Sequence, residues 1–442
     1  MADIDAFVKA EAEALVAELS EWCAIPSIST DPAYADGVRR SAEHLAGLME
    51  AAGLHAEVLS VDGSQPAVYA EWLGAGADAP TITVYGHHDV QPVDPIELWT
   101  TAPFDPTVRD GCLYARGASD DKGNFFPTLY AACELAAAGE LPVHVRVLIE
   151  GAEETGSDDV YNWVLADERG ADAAIVFDSG MIDADTPTIT LATRGMVFSH
   201  LEVRTGTRPV HSGMYGGAAL NAFHALHQAL AAVLPLPDGR LPEPLRAGLI
   251  APAPEELAEW QALPDGASEL ANVGARPSDP TAEAEFWVRT GAEPSIDVNM
   301  VAGGEVRTIV PEVARAAVSV RLAAGQSSAE IGANLERLLR DALPPGAELK
   351  FDYDGAEPSR FDPALPALQA ARRALGDPAL VRSGGTLPIL AAFSQRGIPA
   401  IVGGYALPED QIHSPDESYR LIGLEQGAEA ARALYRELAS LR

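Results

Sequence analysis

Lysine is almost absent from this chain. Of 30 basic residues only Lys9, Lys122 and Lys350 are lysines, against 65 Asp and Glu, and the formal charge is −35. The shortage reads as a compositional bias of the genome. So acidic a chain lacks the clustered Lys and Arg that a nucleic acid or an anionic membrane surface demands, so neither is expected as a partner. Cysteine is also scarce. Cys23, Cys112 and Cys133 are widely spaced and odd in number, with no CxxC pair and no disulfide framework. A reducing cytoplasm fits that usage. Met1 to Ser20 has neither a basic start nor an apolar core, so it is not expected to be a signal peptide. Only Gly216 to Pro237 is long and uncharged enough to raise a membrane question. Asn221, His224, His227 and Gln228 interrupt it, while Leu220, Phe223, Leu226, Leu230 and Val233 recur at near-helical spacing. An amphipathic soluble helix is expected there.

What is present is an ordinary globular mix, with 47% hydrophobic and 21% charged residues over 442 positions. That length suggests two or three domains. Thr81–Val84, Val143–Ile149, Ala173–Phe177 and Ala400–Val402 read as short buried strands. Phe7–Trp22, Ser41–Ala52, Asn124–Ala138 and Pro366–Leu375 read as helices. The alternation predicts an α/β sheet with helices on both faces. The middle differs. Met196–Val203 reads as a strand, 235–284 as loops and short helices, Glu305–Leu322 as two strands around Pro311, and Glu330–Leu343 as a helix. A second domain over 190–358 is expected, inserted between 1–189 and 359–442.

Five segments carry metal chemistry. His87 and Asp89 lie in Gly86-His87-His88-Asp89-Val90-Gln91-Pro92, just past a strand. Asp120 lies in Arg116-Gly117-Ala118-Ser119-Asp120-Asp121-Lys122-Gly123. Glu153 and Glu154 follow another strand in Glu150-Gly151-Ala152-Glu153-Glu154-Thr155-Gly156-Ser157. Asp178 ends a strand, and His413 lies in His413-Ser414-Pro415-Asp416-Glu417. Ligands of open α/β sheets gather beyond the carboxyl ends of strands, so these residues can converge. Imidazole with carboxylate and no thiolate is a catalytic rather than a structural zinc set. Two His and three carboxylates exceed what one tetrahedral ion with an open position needs, but suit two ions sharing a carboxylate. One of the adjacent pair Glu153-Glu154 would then remain free as a base. Taken singly, each signal is weak. A lone His near a strand end is more often structural, and a Glu-Glu pair usually faces solvent. The residues alone leave a metal site and a set of ordinary turns both open.

The motifs GHHDVQP, RGASDDKG, EGAEETGS and HSPDE, in that order across nearly the whole chain, resemble those of the co-catalytic zinc peptidases. That family includes carnosinase, aminoacylase, carboxypeptidase G, acetylornithine deacetylase and succinyl-diaminopimelate desuccinylase. The resemblance implies a zinc-binding α/β catalytic domain with a mixed sheet, interrupted by a smaller α+β lid that also dimerises. It implies two zinc ions, with manganese or cobalt as substitutes. His87 and Asp178 would hold one ion, Glu154 and His413 the other, and Asp120 would bridge both. Glu153 would be the general base, and Asp89 would orient His87. The Asp120–Asp121 peptide would be cis. Asp416 stands where the family commonly has Asn, which puts a neighbouring hydrogen bond in doubt.

The lid points to one branch. His211-Ser212-Gly213-Met214-Tyr215-Gly216-Gly217 resembles the carnosinase-type HSGxxGG, whose His would act on the partner subunit's reacting carbonyl. The run from Arg307-Thr308 through Ser319-Val320-Arg321-Leu322 and the loop Gly384-Gly385-Thr386-Leu387-Pro388 also match. Thr308, Arg321 and Thr386 would contact substrate. The pattern itself supports Arg321: period-2 alternation puts Val318, Val320 and Leu322 on one face and Arg315, Ser319 and Arg321 on the other. A guanidinium there could grip a carboxylate with two parallel bonds. The expected activity is that of a metal-dependent dipeptidase, a hydrolase for small peptides with a free carboxylate, working as a cytoplasmic homodimer. An N-acyl-amino-acid deacylase is the alternative, and a metal-holding protein without turnover the remote one.

Overall fold

The computed structural model describes residues 2–60, 65–156 and 158–441, with side chains from residue 12 onward. Ser157, the end of the third motif, lies outside the described residues. The chain forms two compact units. The first comprises 1–191, 361–380 and 392–442; the second comprises 192–360 and 381–391. The stretch 381–391 was expected in the returning part of the first domain. It belongs to the second because the buried Arg382 forms a two-pronged pair with Glu256, both contacts at 2.9 Å.

The first unit is built on a mixed sheet. Its strands run in the order His55–Leu59, Ala67–Trp72, His144–Glu150, Thr81–His87, Ala173–Val176, Ala400–Val402, Thr188–Thr193. The strand Thr81–His87 runs parallel to His144–Glu150 and to Ala173–Val176, and Ala400–Val402 continues that parallel set. The flanking strands are antiparallel. All four expected strands are present, and their central residues are buried, as parallel strands covered on both faces require.

The helix Lys122–Ala138 is buried along most of its length, including Phe125, Phe126, Leu129 and Ala132. An apolar helix of this kind belongs in a core. Trp22, from the helix Ala2–Cys23, packs edge-on to Phe125 at 5.6 Å and against Phe126 at 5.9 Å. Lys122 is itself buried and donates to the carbonyls of Trp22 and Ile25, both at 3.1 Å. The C-terminal end of the first helix is thereby tied to the start of the second, next to Asp120. Among the described residues no helix is long and apolar enough to cross a membrane. The questioned stretch forms the ten-residue helix Ala222–Ala231.

The second unit is α+β. Its antiparallel sheet has the order Ser295–Gly303, Val313–Leu322, Gly195–Arg204, Glu348–Ala356. The helices Ala222–Ala231 and Ser328–Ala342 cover one face. Leu226, Leu230, Ile331 and Leu335 pack there on Val197, Leu201, Val318 and Val320. The alternation read from 314–322 holds on the core face. The other face is less open than expected, since Ser319 is only 8% exposed while Arg315 is exposed. Two strands of this sheet were not foreseen, Ser295–Gly303 and Glu348–Ala356. Each is an edge strand with most side chains in solvent, so neither carries an apolar signature.

Candidate metal centre

The carboxyl ends of the parallel strands bring the motif residues together. His87 is the last residue of its strand. Gly86 precedes it because a Cβ there would meet the Phe125 ring at 2.4 Å. Glu153 and Glu154 form a short 3-10 turn after the strand His144–Glu150, and Asp178 lies two positions past the end of Ala173–Val176. Asp120 sits in the loop entering the helix Lys122–Ala138, and its peptide bond to Asp121 is cis. His413 lies in a turn where Gln411, His413 and Asp416 all adopt left-handed φ near +60°. Non-glycine residues tolerate that conformation only where their surroundings enforce it.

Two groups of donors result, sharing one residue. His87, Asp120 and Asp178 offer atoms all within 4.8 Å of one another, and so do Asp120, Glu154 and His413. His87 Nε2 lies 3.1 Å from Asp120 Oδ1 and 4.0 Å from Asp178 Oδ1. His413 Nε2 lies 2.8 Å from Asp120 Oδ2 and 3.5 Å from Glu154 Oε2. The two oxygens of Asp120 therefore face different histidines. Asp178 Oδ2 and Glu154 Oε1 are buried with no hydrogen-bond partner among the described residues.

The electrostatics describe a site short of positive charge. Burial pushes the Asp178 carboxyl well above its usual range, and the charges of Asp120, Glu153 and Glu154 add to this against the pull of His87. Burial likewise raises Glu153 to about 7, with His87 opposing and Glu154, Asp120 and Asp89 contributing. His413 is pushed up to about 10 by hydrogen bonds to Asp120 and Glu154. Burial opposes the same trend at His87, yet its bonds to Asp120 and Asp89 hold it well above the usual imidazole range. The imidazolium charges partly neutralise the carboxylates, a task two divalent cations would perform better. The orphaned oxygens, the shared Asp120 and the imidazole–carboxylate chemistry all fit a pair of metal ions.

Asp89 organises this site. Its Oδ2 accepts from Ser29 Oγ at 2.6 Å and from the Glu154 N–H at 3.1 Å, while Oδ1 accepts from the Glu153 N–H at 3.3 Å. His87 Nδ1 is 3.5 Å from Asp89 Oδ1 but only 3.1 Å from the Asp89 backbone carbonyl. Asp89 thus orients His87 mainly through its main chain and uses its carboxylate to set the Glu153-Glu154 turn. His88 is buried and lies 2.8 Å from the Pro66 carbonyl, away from both donor groups.

Three positioning residues escaped the sequence reading, although two of them lie inside quoted motifs. Glu417 is fully buried, and its carboxylate accepts from the N–H groups of Gly117, Ser119 and Asp120 at 2.9 Å and from Arg116 Nη1 at 2.6 Å. It fixes the Asp120 loop. Gln91 donates to Glu154 Oε2 at 2.7 Å, and Ser29 holds Asp89. Asp416 explains its own departure from Asn. Its two oxygens accept from the Thr100 N–H at 2.8 Å and the Thr100 hydroxyl at 2.6 Å, with Arg109 at 3.4 Å. A carboxylate satisfies three donors where an amide NH2 would repel one.

The other expected residues lie in the second unit. His211 and Thr308 are neighbours. His211 pairs with Ile309 in a two-residue ladder, and the Ser212 N–H donates to the Thr308 carbonyl at 3.0 Å. The Gly213 N–H donates to His211 Nδ1 at 3.0 Å, leaving Nε2 to carry the proton outward. Arg321 Nη1 donates to Thr386 Oγ1 at 2.9 Å.

Comparison with known proteins gives consistent findings. The family described as Peptidase family M20/M25/M40 matches residues 83–437. The chain is 30% identical to a cysteinylglycine-S-conjugate dipeptidase of Corynebacterium striatum, covering 92% of this chain and 91% of that protein. It is 27% identical to human Beta-Ala-His dipeptidase, covering 98% and 92%. Among solved structures, an M20 family metallo-carboxypeptidase from Sulfolobus solfataricus superposes with a TM-score of 0.83 at 25% identity, covering 96% and 99% of the two chains. Human carnosine dipeptidase 1, at 24% identity and a TM-score of 0.79 over 98% of each chain, shares the fold.

Glu417→Gln should separate the anchoring role from mere filling of space. The substitution keeps the volume but leaves Arg116 buried without its counter-charge, a loss of about 3–5 kcal/mol. Denaturant unfolding should report that loss, together with weakened metal uptake. Stability within about 1 kcal/mol of wild type would remove Glu417 from this account.

Proposed function

This chain belongs to the M20/M25/M40 peptidase family, and from that premise we propose that it is a metal-dependent dipeptidase for substrates with a free C-terminal carboxylate. The observation that carries this reading is the pair of donor groups meeting at Asp120, with Glu153 beside them and in neither. His87 and Asp178 would hold one zinc ion, Glu154 and His413 the other, and Asp120 would serve both. Imidazole–carboxylate donors suit zinc, and manganese or cobalt are the alternatives. When bound, such a pair would supply Lewis-acid polarisation of an amide carbonyl and acidify a water molecule.

The chain's own residues supply the remainder. The Glu153 carboxylate takes the proton from the attacking water and delivers it to the leaving nitrogen. His211 Nε2–H donates to the carbonyl oxygen as negative charge develops there, and Thr308 flanks it. Arg321, with Thr386 at its side, takes the substrate carboxylate. The names of the relatives support a dipeptide substrate. Three free cysteines suit a cytoplasmic setting. A homodimer through the second unit is supported by its open edge strand Ser295–Gly303, where Val298, Met300 and Val301 are exposed.

A substrate panel tests the reading. Dipeptides should be hydrolysed well, and N-acetyl and N-succinyl amino acids poorly. The reverse order would make the protein a deacylase.

Base and ligand roles should separate as well. Glu153→Gln should retain both metals by elemental analysis yet lose at least ~10²-fold in kcat. Asp120→Asn should lose metal, since a neutral amide joins two dications poorly. If Glu153→Gln also empties the site, the assignments of Glu153 and Glu154 are reversed.

His211 is expected to act across the dimer. His211→Ala and Glu153→Ala homodimers should each be nearly dead, a lost oxyanion donor alone costing ~10²–10³ in rate. The purified mixed dimer has one site with both residues intact and should recover up to half the wild-type activity. A mixed dimer as dead as its parents would place His211 within its own subunit or outside the reaction.

A further inference from the structure

Arg194 opens the second unit, and nothing in the mechanism above uses it. It is tied to the Gly384–Thr386 loop at three points. Its N–H donates to the Gly385 carbonyl at 3.0 Å, its Nε to the Gly384 carbonyl at 3.3 Å, and its own carbonyl accepts from Thr386 Oγ1 at 2.7 Å. Nη1 reaches Ser295 Oγ at 3.2 Å. A Cβ at Gly384 would stand 3.1 Å from Nη2, so glycine lets the guanidinium lie close against the loop.

The proton count at Thr386 matters. A hydroxyl has one proton, and this one is donated to Arg194. The oxygen therefore meets Arg321 as an acceptor. A single hydroxyl links two arginines and fixes the direction of the second. Neither guanidinium has a carboxylate within ion-pair distance among the described residues. Other arginines of the same unit do: Arg382 meets Glu256, Arg246 meets Glu293, and Arg289 meets Glu285. Burial and the charge of Arg321 push Arg194 down to about 10, with Asp297 opposing. Two like charges near one another, with no carboxylate in ion-pair contact, favour an anion there.

We propose that Arg194 is a positioning residue for recognition of the substrate carboxylate. It holds the Thr386 hydroxyl and the Gly384-Gly385 backbone in the arrangement that aims Arg321, and it adds a second positive charge beside that guanidinium. The proposal rests on the reading that Arg321 takes the carboxylate.

The test compares kcat and KM for a dipeptide and its C-terminally amidated analogue in the intact enzyme. Wild type should prefer the free acid. Arg321→Ala and Arg194→Met should each lose that preference by ~10-fold to ~100-fold, through KM, as charge-assisted contacts of this kind are lost. Arg194→Lys, which keeps the charge without the fork, should recover part of it. If Arg194→Met does not fold, Thr386→Val cuts the link between the arginines at nearly constant shape and should lose the preference too. Equal losses for acid and amide in Arg194→Met, or an undiminished preference in Thr386→Val, would overturn the role of Arg194 alone. A wild type indifferent to amidation would overturn the carboxylate reading and this role with it.

Discussion

Asp120, Glu153, Glu154 and Asp178 share one largely buried space, and like charges so crowded persist only where something neutralises them. Two imidazolium groups do part of this, with Asp120 between them. Two orphaned carboxylate oxygens mark what is left undone. The need for cations at this point accounts for much of the surrounding structure. It explains why Asp120 is aimed by a loop three of whose amides converge on buried Glu417, and why Asp89 holds the Glu153-Glu154 turn.

The scaffold answers that need through sheet geometry. Parallel strands end at one edge, and their following residues face a common space. His87, the Glu153-Glu154 turn and Asp178 arrive there from three adjacent strands. Residues far apart in sequence complete the set: Glu417 grips a loop some 300 positions earlier, and His413 reaches the same Asp120. The candidate donors thus come from both ends of the chain, all within the first unit.

The second unit meets a different demand. Its helices and sheet bury an aliphatic core on one side. The other residues of interest stand apart from that core, on short ladders and loops: His211 beside Thr308, and Arg321 beside Thr386 and Arg194. Among the described residues neither Arg321 nor Arg194 has a carboxylate within ion-pair distance, and Thr386 links the two.

Much of this was legible in the residues. The four buried parallel strands and the apolar helix after Asp120 follow from periodicity, because burial on both faces leaves continuous apolar runs; the buried strands Ala67–Trp72 and Thr188–Thr193 did not stand out in the same way. The candidate ligands followed from the resemblance of the motifs, since the residues taken singly left a metal site and ordinary turns both open. The edge strands Ser295–Gly303 and Glu348–Ala356 were not legible, because solvent-facing strands carry no apolar pattern. Nor were the partners of Glu417, Gln91, Ser29 and Arg194. Sequence determined which side chains exist and which segments must be buried. Only the tertiary structure decided which donor meets which acceptor, because a hydrogen bond depends on ångström-scale direction between residues that the sequence separates by tens to hundreds of positions.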